Sequence, residues 1–590
     1  MAALRSALWL ILGLAACLYA QDNRQRIVGV DSEIPAALRA LYLSQGLAPP
    51  SSAGPWSEEE LLAALDRIDS AALPAGMRGV YDFAAGALGR RRKALVPSLA
   101  INAEFYGHTN TEDFLTEDQY LRPWSLARQF IDASLEAFFA SHVYILFNFS
   151  LSNSLYTGTV TDKAGRGPYA ASGFFGAAGW GTNVFWNYQS LAEADAAWDW
   201  WNPFRTFIAV GGQGWSLQAG RDRLSWGSGE SGNFLVGGHI RYHNVFRTAF
   251  YNEVFKYTFS VSAFENPLAV YNNDTGWNVA APRASDHNNF FIAHRMEWRT
   301  LGGALNLSIS EGLMYQPEKD PFVFDVLVLS PTICLHNLNH HMQNSIFVFE
   351  ADWTPAKAWT LYAQMVLDDA AGPNENTPGL TETASPREMG WMLGAKTALP
   401  FKGGVFFASL EGVYTDPFLY LRNRNYAPQT AGVSGINFVV SNSSDYHGES
   451  FLGYRWGGDA VVFNANGEYR RFGQWSVKIN IMYMIHGTHD KWTAYRNLTA
   501  DENKSTPTSV HVTENHGDAN TGDRNAPYRL ASLSLSASGN GAFLFGRGAF
   551  ENLAFYGEAD LVIVKNPLNI ESPRPAVDLQ FVLGLSYTFR

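Results

Sequence analysis

The chain has 590 residues, with 43 Lys and Arg against 55 Asp and Glu, so its formal net charge is −12. That acidic balance argues against a nucleic-acid partner, which is held through basic surfaces. Only 17% of residues are charged, 14% are aromatic and 53 are Gly; the mean hydropathy of −0.13 goes with the absence of runs of roughly 18 apolar residues, which excludes a polytopic helical membrane protein. A large water-soluble β-rich protein and a membrane β-barrel remain, since alternating strands dilute hydrophobicity until its average looks soluble.

The first twenty residues read as a signal peptide: Arg5 precedes the apolar run Ala7 to Leu18, and Leu18-Tyr19-Ala20 ends in the small residue that cleavage needs. Leu14-Ala15-Ala16-Cys17 also fits a lipoprotein cleavage box, with Cys17 acylated. After cleavage at Ala20 only Cys334 remains, so no internal disulfide is expected.

Residues 21–96 differ from everything after them and are expected to form a small periplasmic helical domain. Ser32 to Gly46 reads as a helix with Pro35 in its first turn and Leu38, Leu41 and Tyr42 on one face. Ser57-Glu58-Glu59-Glu60 is a capping box in which the Ser57 hydroxyl reaches the Glu60 amide, followed by Leu61, Leu62, Leu65 and Ile68 at helical spacing. A third piece, Val80 to Leu88, leads to the basic run Arg90 to Lys93. Such a domain could plug the lumen of a barrel or serve as a tethered assembly module.

From residue 97 to 590 the pattern is segments of about ten residues with period-two alternation. The last segment is the clearest: Val577, Leu579, Phe581, Leu583, Leu585, Tyr587 and Phe589 alternate with small and polar residues. Eighteen such segments can be placed, beginning at 97–106 and ending at 577–589. Even-numbered connections are mostly short, such as Ala140-Ser141 and Gly212-Gln213, whereas odd ones include the long stretches 155–203, 415–455 and 487–526. Short turns at one end and long loops at the other mark an outer-membrane barrel, and an even strand count returns both termini to the periplasmic side. The expected fold is therefore all-β, a transmembrane antiparallel barrel of about 18 strands behind a helical preface. The aromatic end of the last strand looks like the signal read by the barrel assembly machinery, with Arg590 after the usual terminal Phe.

Gly220 to Asn233 (GRDRLSWGSGESGN) resembles the signature of the capsule-assembly Wzi family. Ala293-His294-Arg295-Met296-Glu297, Ser310-Glu311-Gly312 and Leu361 to Asp369 follow in the order that family shows, and Leu41 to Leu47 with Pro55-Trp56 resembles its N-terminal region. The resemblance implies an eighteen-stranded outer-membrane barrel with a periplasmic helical part, acting as a lectin that attaches exported polysaccharide to the cell surface. A diffusion porin for small solutes is the alternative.

Saccharide binding wants aromatic faces and planar polar groups. The longest outer loop holds Trp180, Trp186, Tyr188, Trp198, Trp200 and Trp201, either a glycan platform or the loop's own apolar packing. Arg221, Arg223 and Trp226 of the signature are further candidates. Gly227 to Gly232 spells GxGxxG, but no helix pattern follows, so it is no dinucleotide site; the glycines are expected to form a tight loop at the outer rim, where Arg221, Asp222, Arg223 and Glu230 pair. Strand phase sends Arg295, Glu297 and Arg299 into the lumen, because charge on the lipid face is costly, and Glu558 and Asp560 join them. Such a charge cluster either lines a path or cross-links a filled interior. Cys334, His336, His340 and His341 have spacings a metal tolerates but no nameable second shell, and no metal or cofactor is expected. Asp368 and Asp369 point to opposite faces of a strand, and no nucleophile elbow, Walker loop or HExxH helix is present, so the chain is not read as an enzyme.

Overall fold

The structure is a computed structural model that describes residues 23–89, 93–110, 128–153, 203–264, 289–316, 342–369, 388–421, 437–441, 449–487, 528–569 (547 and 549 excepted) and 572–589, with short pieces between them. Three helices come first: α1 (Glu33–Gln45), α2 (Glu58–Leu65) and α3 (Ala75–Ala87). Ser32 caps α1 by accepting from the Ile34 amide, and Gly46 ends it in the left-handed region at φ 82°. The Ser57 hydroxyl accepts from the Glu60 amide at 3.2 Å, as the capping box requires. Helix α3 starts at Ala75, five residues before the expected Val80, directly after Pro74, which sits at its N-cap.

Eighteen strands follow: β1 (Leu95–His108), β2 (Ile131–Phe139), β3 (Val143–Asn153), β4 (Thr206–Gly212), β5 (Trp215–Asp222), β6 (His243–Tyr251), β7 (Phe255–Phe264), β8 (Asn289–Thr300) and β9 (Leu305–Gln316) make the first half. The second half is β10 (Met342–Ala356), β11 (Trp359–Asp369), β12 (Glu388–Phe401), β13 (Gly404–Thr415), β14 (Ala460–Arg471), β15 (Trp475–His486), β16 (Tyr528–Asn540), β17 (Leu553–Lys565) and β18 (Ala576–Phe589). Each pairs antiparallel with its sequence neighbours, and β18 pairs β1 from Gln580↔His108 to Phe589↔Leu99. The sheet is thus a closed 18-strand barrel with no free edge.

Alternation decides which face is which. On β15, Val477, Ile479, Ile481 and Tyr483 are exposed, and on β18 so are Val577, Leu579, Leu583, Leu585 and Phe589. Between them lie Lys478 and Asn480 on β15 and Asp578 and Gln580 on β18, facing the lumen. Apolar side chains left outside in this number need hydrocarbon around the wall, since each loses about 1.5–3 kcal/mol in water relative to an apolar phase. The short turns gather at one end. Lys402-Gly403, with φ of 42° and 79°, joins β12 to β13 in the left-handed geometry that suits a two-residue hairpin.

The helical domain does not hang free from this end. Leu38, Leu41, Leu61, Leu65, Met77 and Val80 form one apolar cluster that includes Ala398, Val405 and Phe407 of β12 and β13. Glu33 accepts from the Gly473 amide at 3.0 Å, in the turn between β14 and β15.

Candidate functional site

The lumen is filled from both ends of the chain's topology. From the short-turn end, residues 48–57 enter between the helices, and three wall cations hold them. Arg299 donates to the carbonyls of Ala48 (2.9 Å) and Pro49 (3.1 Å), and Arg295 donates to Ser52 Oγ at 2.9 Å. Lys256 donates to Ser51 Oγ (3.0 Å), the Ala53 carbonyl (3.2 Å) and Glu60 Oε1 (2.5 Å). From the other end, the connection between β5 and β6 folds inward. Ser225 and Trp226 form a two-residue antiparallel pairing with Gly54 and Ala53, so the two inserted segments meet inside the barrel.

This corrects the expected place of the signature glycines. Residues 227–232 lie within the barrel and are wedged against β12 and β13, not at an outer rim. The Glu230 amide donates to Glu411 Oε2 at 2.7 Å and the Ser231 amide to Glu411 Oε1 at 2.9 Å. The Glu230 carboxylate takes Lys396 at 2.7 Å and Arg39 of α1 at 3.3 Å. Burial alone would push that carboxyl up, but the two cations outweigh it and hold it at about 2. Glycine is required at Gly229, where a Cβ would stand 1.8 Å from the Gly232 carbonyl oxygen.

The charged signature residues find partners elsewhere rather than one another. Asp222 takes Arg205 at 2.7 Å and Gln218 at 2.7 Å; Arg223 pairs with Asp31 at 2.8 Å and donates to the Gly238 carbonyl. Arg221 donates to Asn244 at 2.9 Å and lies 4.1 Å over the ring of Tyr242, at the end of β5 away from its short turn. Trp226 is fully buried, so it offers no ring face to a saccharide and acts as the apolar anchor of the plug. Around it Phe234, Leu235, Val236, Phe291, Val348, Tyr362 and Tyr420 close one core across the lumen.

Arg295 is the most fully satisfied of the wall cations. Its Nε donates to Glu297 at 2.6 Å, its Nη1 to Glu350 Oε1 at 2.6 Å and Ser310 Oγ at 3.2 Å, and its Nη2 to Ser52 and to Glu350 Oε2 at 3.1 Å. All five guanidinium protons are thereby assigned. Arg295, Glu297 and Arg299 face the lumen as expected. Glu558 and Asp560 also lie on the lumen-facing phase, but of β17, across the barrel from β8, so the five do not make one cluster. Glu350, Lys256, Lys396 and Glu411 carry the interior and were not singled out in the sequence; only their lumen-facing strand phase could have pointed to them.

Of the outer-loop aromatics, Trp180, Trp198, Trp200 and Trp201 lie on two short strands. Trp180–Thr182 pairs with Phe105–Gly107, and Trp198–Trp201 with Ser150–Asn153. Trp186, Tyr188, Cys334, His336, His340 and His341 lie outside the described residues. Among the described residues no group of His, Cys, Asp and Glu has the geometry of a metal site.

No protein-family model and no curated protein matches this chain in sequence. Among solved structures, Wzi of Escherichia coli, described as an outer-membrane protein involved in group 1 capsule assembly and a carbohydrate-binding β-barrel, is similar with a TM-score of 0.53 at 12% identity, over 95% of this chain and 99% of that one. OprD of Pseudomonas aeruginosa has a TM-score of 0.39 at 9% identity, over 84% and 95%. The chain has the fold of the outer-membrane barrels, with a likeness to Wzi along nearly its whole length.

Proposed function

We propose that this protein is an outer-membrane barrel that binds exported or capsular polysaccharide at the cell surface and is neither a pore nor an enzyme. The observation that carries the reading is the filled lumen: Val462, Met484, Leu530 and Val562, on the lumen-facing phase of four adjacent strands, belong with Trp226 and Phe234 to one buried core. A solute path would need polar wall and water at that level. The whole-length likeness to a carbohydrate-binding barrel supports the same choice. In this reading residues 1–20 are removed on export, the helices stand in the periplasm, and the barrel assembly machinery inserts the chain.

The glycan contact falls to the long loop, with Trp180, Trp186, Tyr188, Trp198, Trp200 and Trp201 as stacking groups and Arg221 as the nearest rim cation. Arg223 and Trp226 belong to the plug. Stacking rings are each worth about 0.5–1.5 kcal/mol beyond their burial. Replacing Trp198, Trp200 and Trp201 together by Ala should therefore weaken binding of purified protein to surface polysaccharide by tenfold or more. Undiminished binding in that variant would remove the loop from the reading.

A further inference from the structure

The barrel wall separates two consecutive arginines at the short-turn end of β14. Alternation sends Arg470 into the lumen, where it meets Glu468 at 2.6 Å and Glu33 of α1 at 3.7 Å. Arg471 takes the opposite phase, shared with Phe463, which is 59% exposed on the lipid side. Among the described residues no carboxylate pairs with Arg471. Its Nε donates to the Tyr469 hydroxyl at 3.3 Å and its Nη2 to the Lys402 carbonyl at 2.7 Å, in the turn from β12 to β13, which leaves Nη1 without a partner among the described residues. Lys402 is exposed and also forms no ion pair among them; its Nζ stands 5.2 Å from the centre of the Phe401 ring.

Aromatic rings frame the two cations. Arg471 stands opposite Trp475 in register, with its Cζ 6.0 Å over that ring. Tyr469 stands opposite Phe406, with its ring centre 5.2 Å from that of Trp475 and 6.1 Å from that of Phe401. Its hydroxyl donates to the carbonyls of Phe401 and Lys402, each at 3.1 Å, which ties the turn to β14. Phe401 and Phe406 are part of the exposed apolar belt. Charge on the outward face is costly at mid-bilayer and tolerated at its border, and the turns place both cations at that border. The layer that meets them there is the headgroup layer of the leaflet at the short-turn end.

We propose that Lys402 and Arg471 form a binding site for the phosphate of an anionic phospholipid in that leaflet. Arg471 Nη1 and Lys402 Nζ take the phosphate oxygens, and Phe401 and Trp475 lie along the first carbons of the acyl chains. A lipid, and not the free ion, is the ligand because the rings beside the cations continue the lipid-facing belt. The site rests on the barrel's lipid face and is independent of the saccharide reading.

The test is native mass spectrometry of the full-length protein in detergent, titrated with phosphatidylglycerol or with phosphatidylcholine of the same acyl chains. One basic residue beside an anionic headgroup contributes about fivefold in affinity, so the two together should favour phosphatidylglycerol by about twentyfold or more for the first lipid bound. Arg471→Gln should lose about fivefold of that preference, and Lys402→Gln combined with Arg471→Gln nearly all of it. Arg574→Gln, an equal loss of charge in the connection between β17 and β18 at the long-loop end, should lose none. Lys402→Gln alone removes no hydrogen bond from the turn, so its loss of about fivefold carries the test if the Arg471 variants fail to fold. No preference in the native chain, a preference kept by the double variant, or an equal loss in Arg574→Gln would overturn the proposal. Displacement of bound phosphatidylglycerol by inorganic phosphate would also overturn it, by making the free ion the ligand.

Discussion

At the scale of single residues, Arg295, Lys256, Lys396 and Glu230 tie the inserted segments to the wall through named partners. Arg295, 1% exposed, carries two carboxylates and a plug hydroxyl, so Arg295→Leu leaves Glu297 and Glu350 buried without their cation. Breaking a buried pair in this way costs about 3–5 kcal/mol. The loss should appear as a lower denaturant midpoint for the detergent-solubilised barrel, whereas an unchanged midpoint would mean the triad bears no load. Glu230 gives a pH dependence. Its carboxyl is held at about 2, below its ordinary value of 4.5, so its contribution is fully present above pH 4.5 and fades as pH falls toward 2. Protease access to the 223–242 segment should rise through that window in the native chain and be much flatter in Glu230→Gln. Strand phase alone placed Arg295, Glu297 and Arg299 in the lumen, because only one face of a lipid-bound strand tolerates charge. It could not show that Arg39 would meet Glu230, 191 residues away in sequence, since that contact follows from the fold of a loop.

At the scale of elements, the strands were legible and the plug was not. All eighteen lie where alternation and turn spacing put them, because the lipid phase imposes a strict apolar face along each one. The caps of α1 and α2 were equally plain, since Ser32, Ser57 and Gly46 act on their immediate neighbours. The β5–β6 connection has no such constraint. Its glycines announced tight backbone but not whether the loop turns outward or inward; that is decided by Glu411, Lys396 and the Ala53-Gly54 strand that receives it. Gly229→Val puts branched carbon where a single Cβ already lies 1.8 Å from the Gly232 carbonyl. The loop should then lose its seat while the barrel, built from other residues, still inserts. Heat-modifiable gel mobility should remain native-like and proteolysis within 223–242 should increase; resistance equal to the native chain would show that the loop has a second way to pack.

At the scale of the whole molecule, the composition finds its place. A charged fraction of 17% covers too little for a surface bathed in water on all sides, and the exposed belt of Leu, Ile, Val and Phe on the strands accounts for it. Inside, charge is mostly paired, as with Arg295, Lys256 and Glu230, and serves to lock α1, residues 48–57 and the β5–β6 segment into the barrel. On the proposed reading, a barrel so filled is a platform for what binds at its ends rather than a passage between them. Its central claim is tested most directly by conductance across a planar lipid bilayer. The native chain should insert and give no steady ionic current, while a variant lacking residues 224–236 should conduct. A steady ohmic current through the native chain would contradict the occluded lumen and return the protein to the porins.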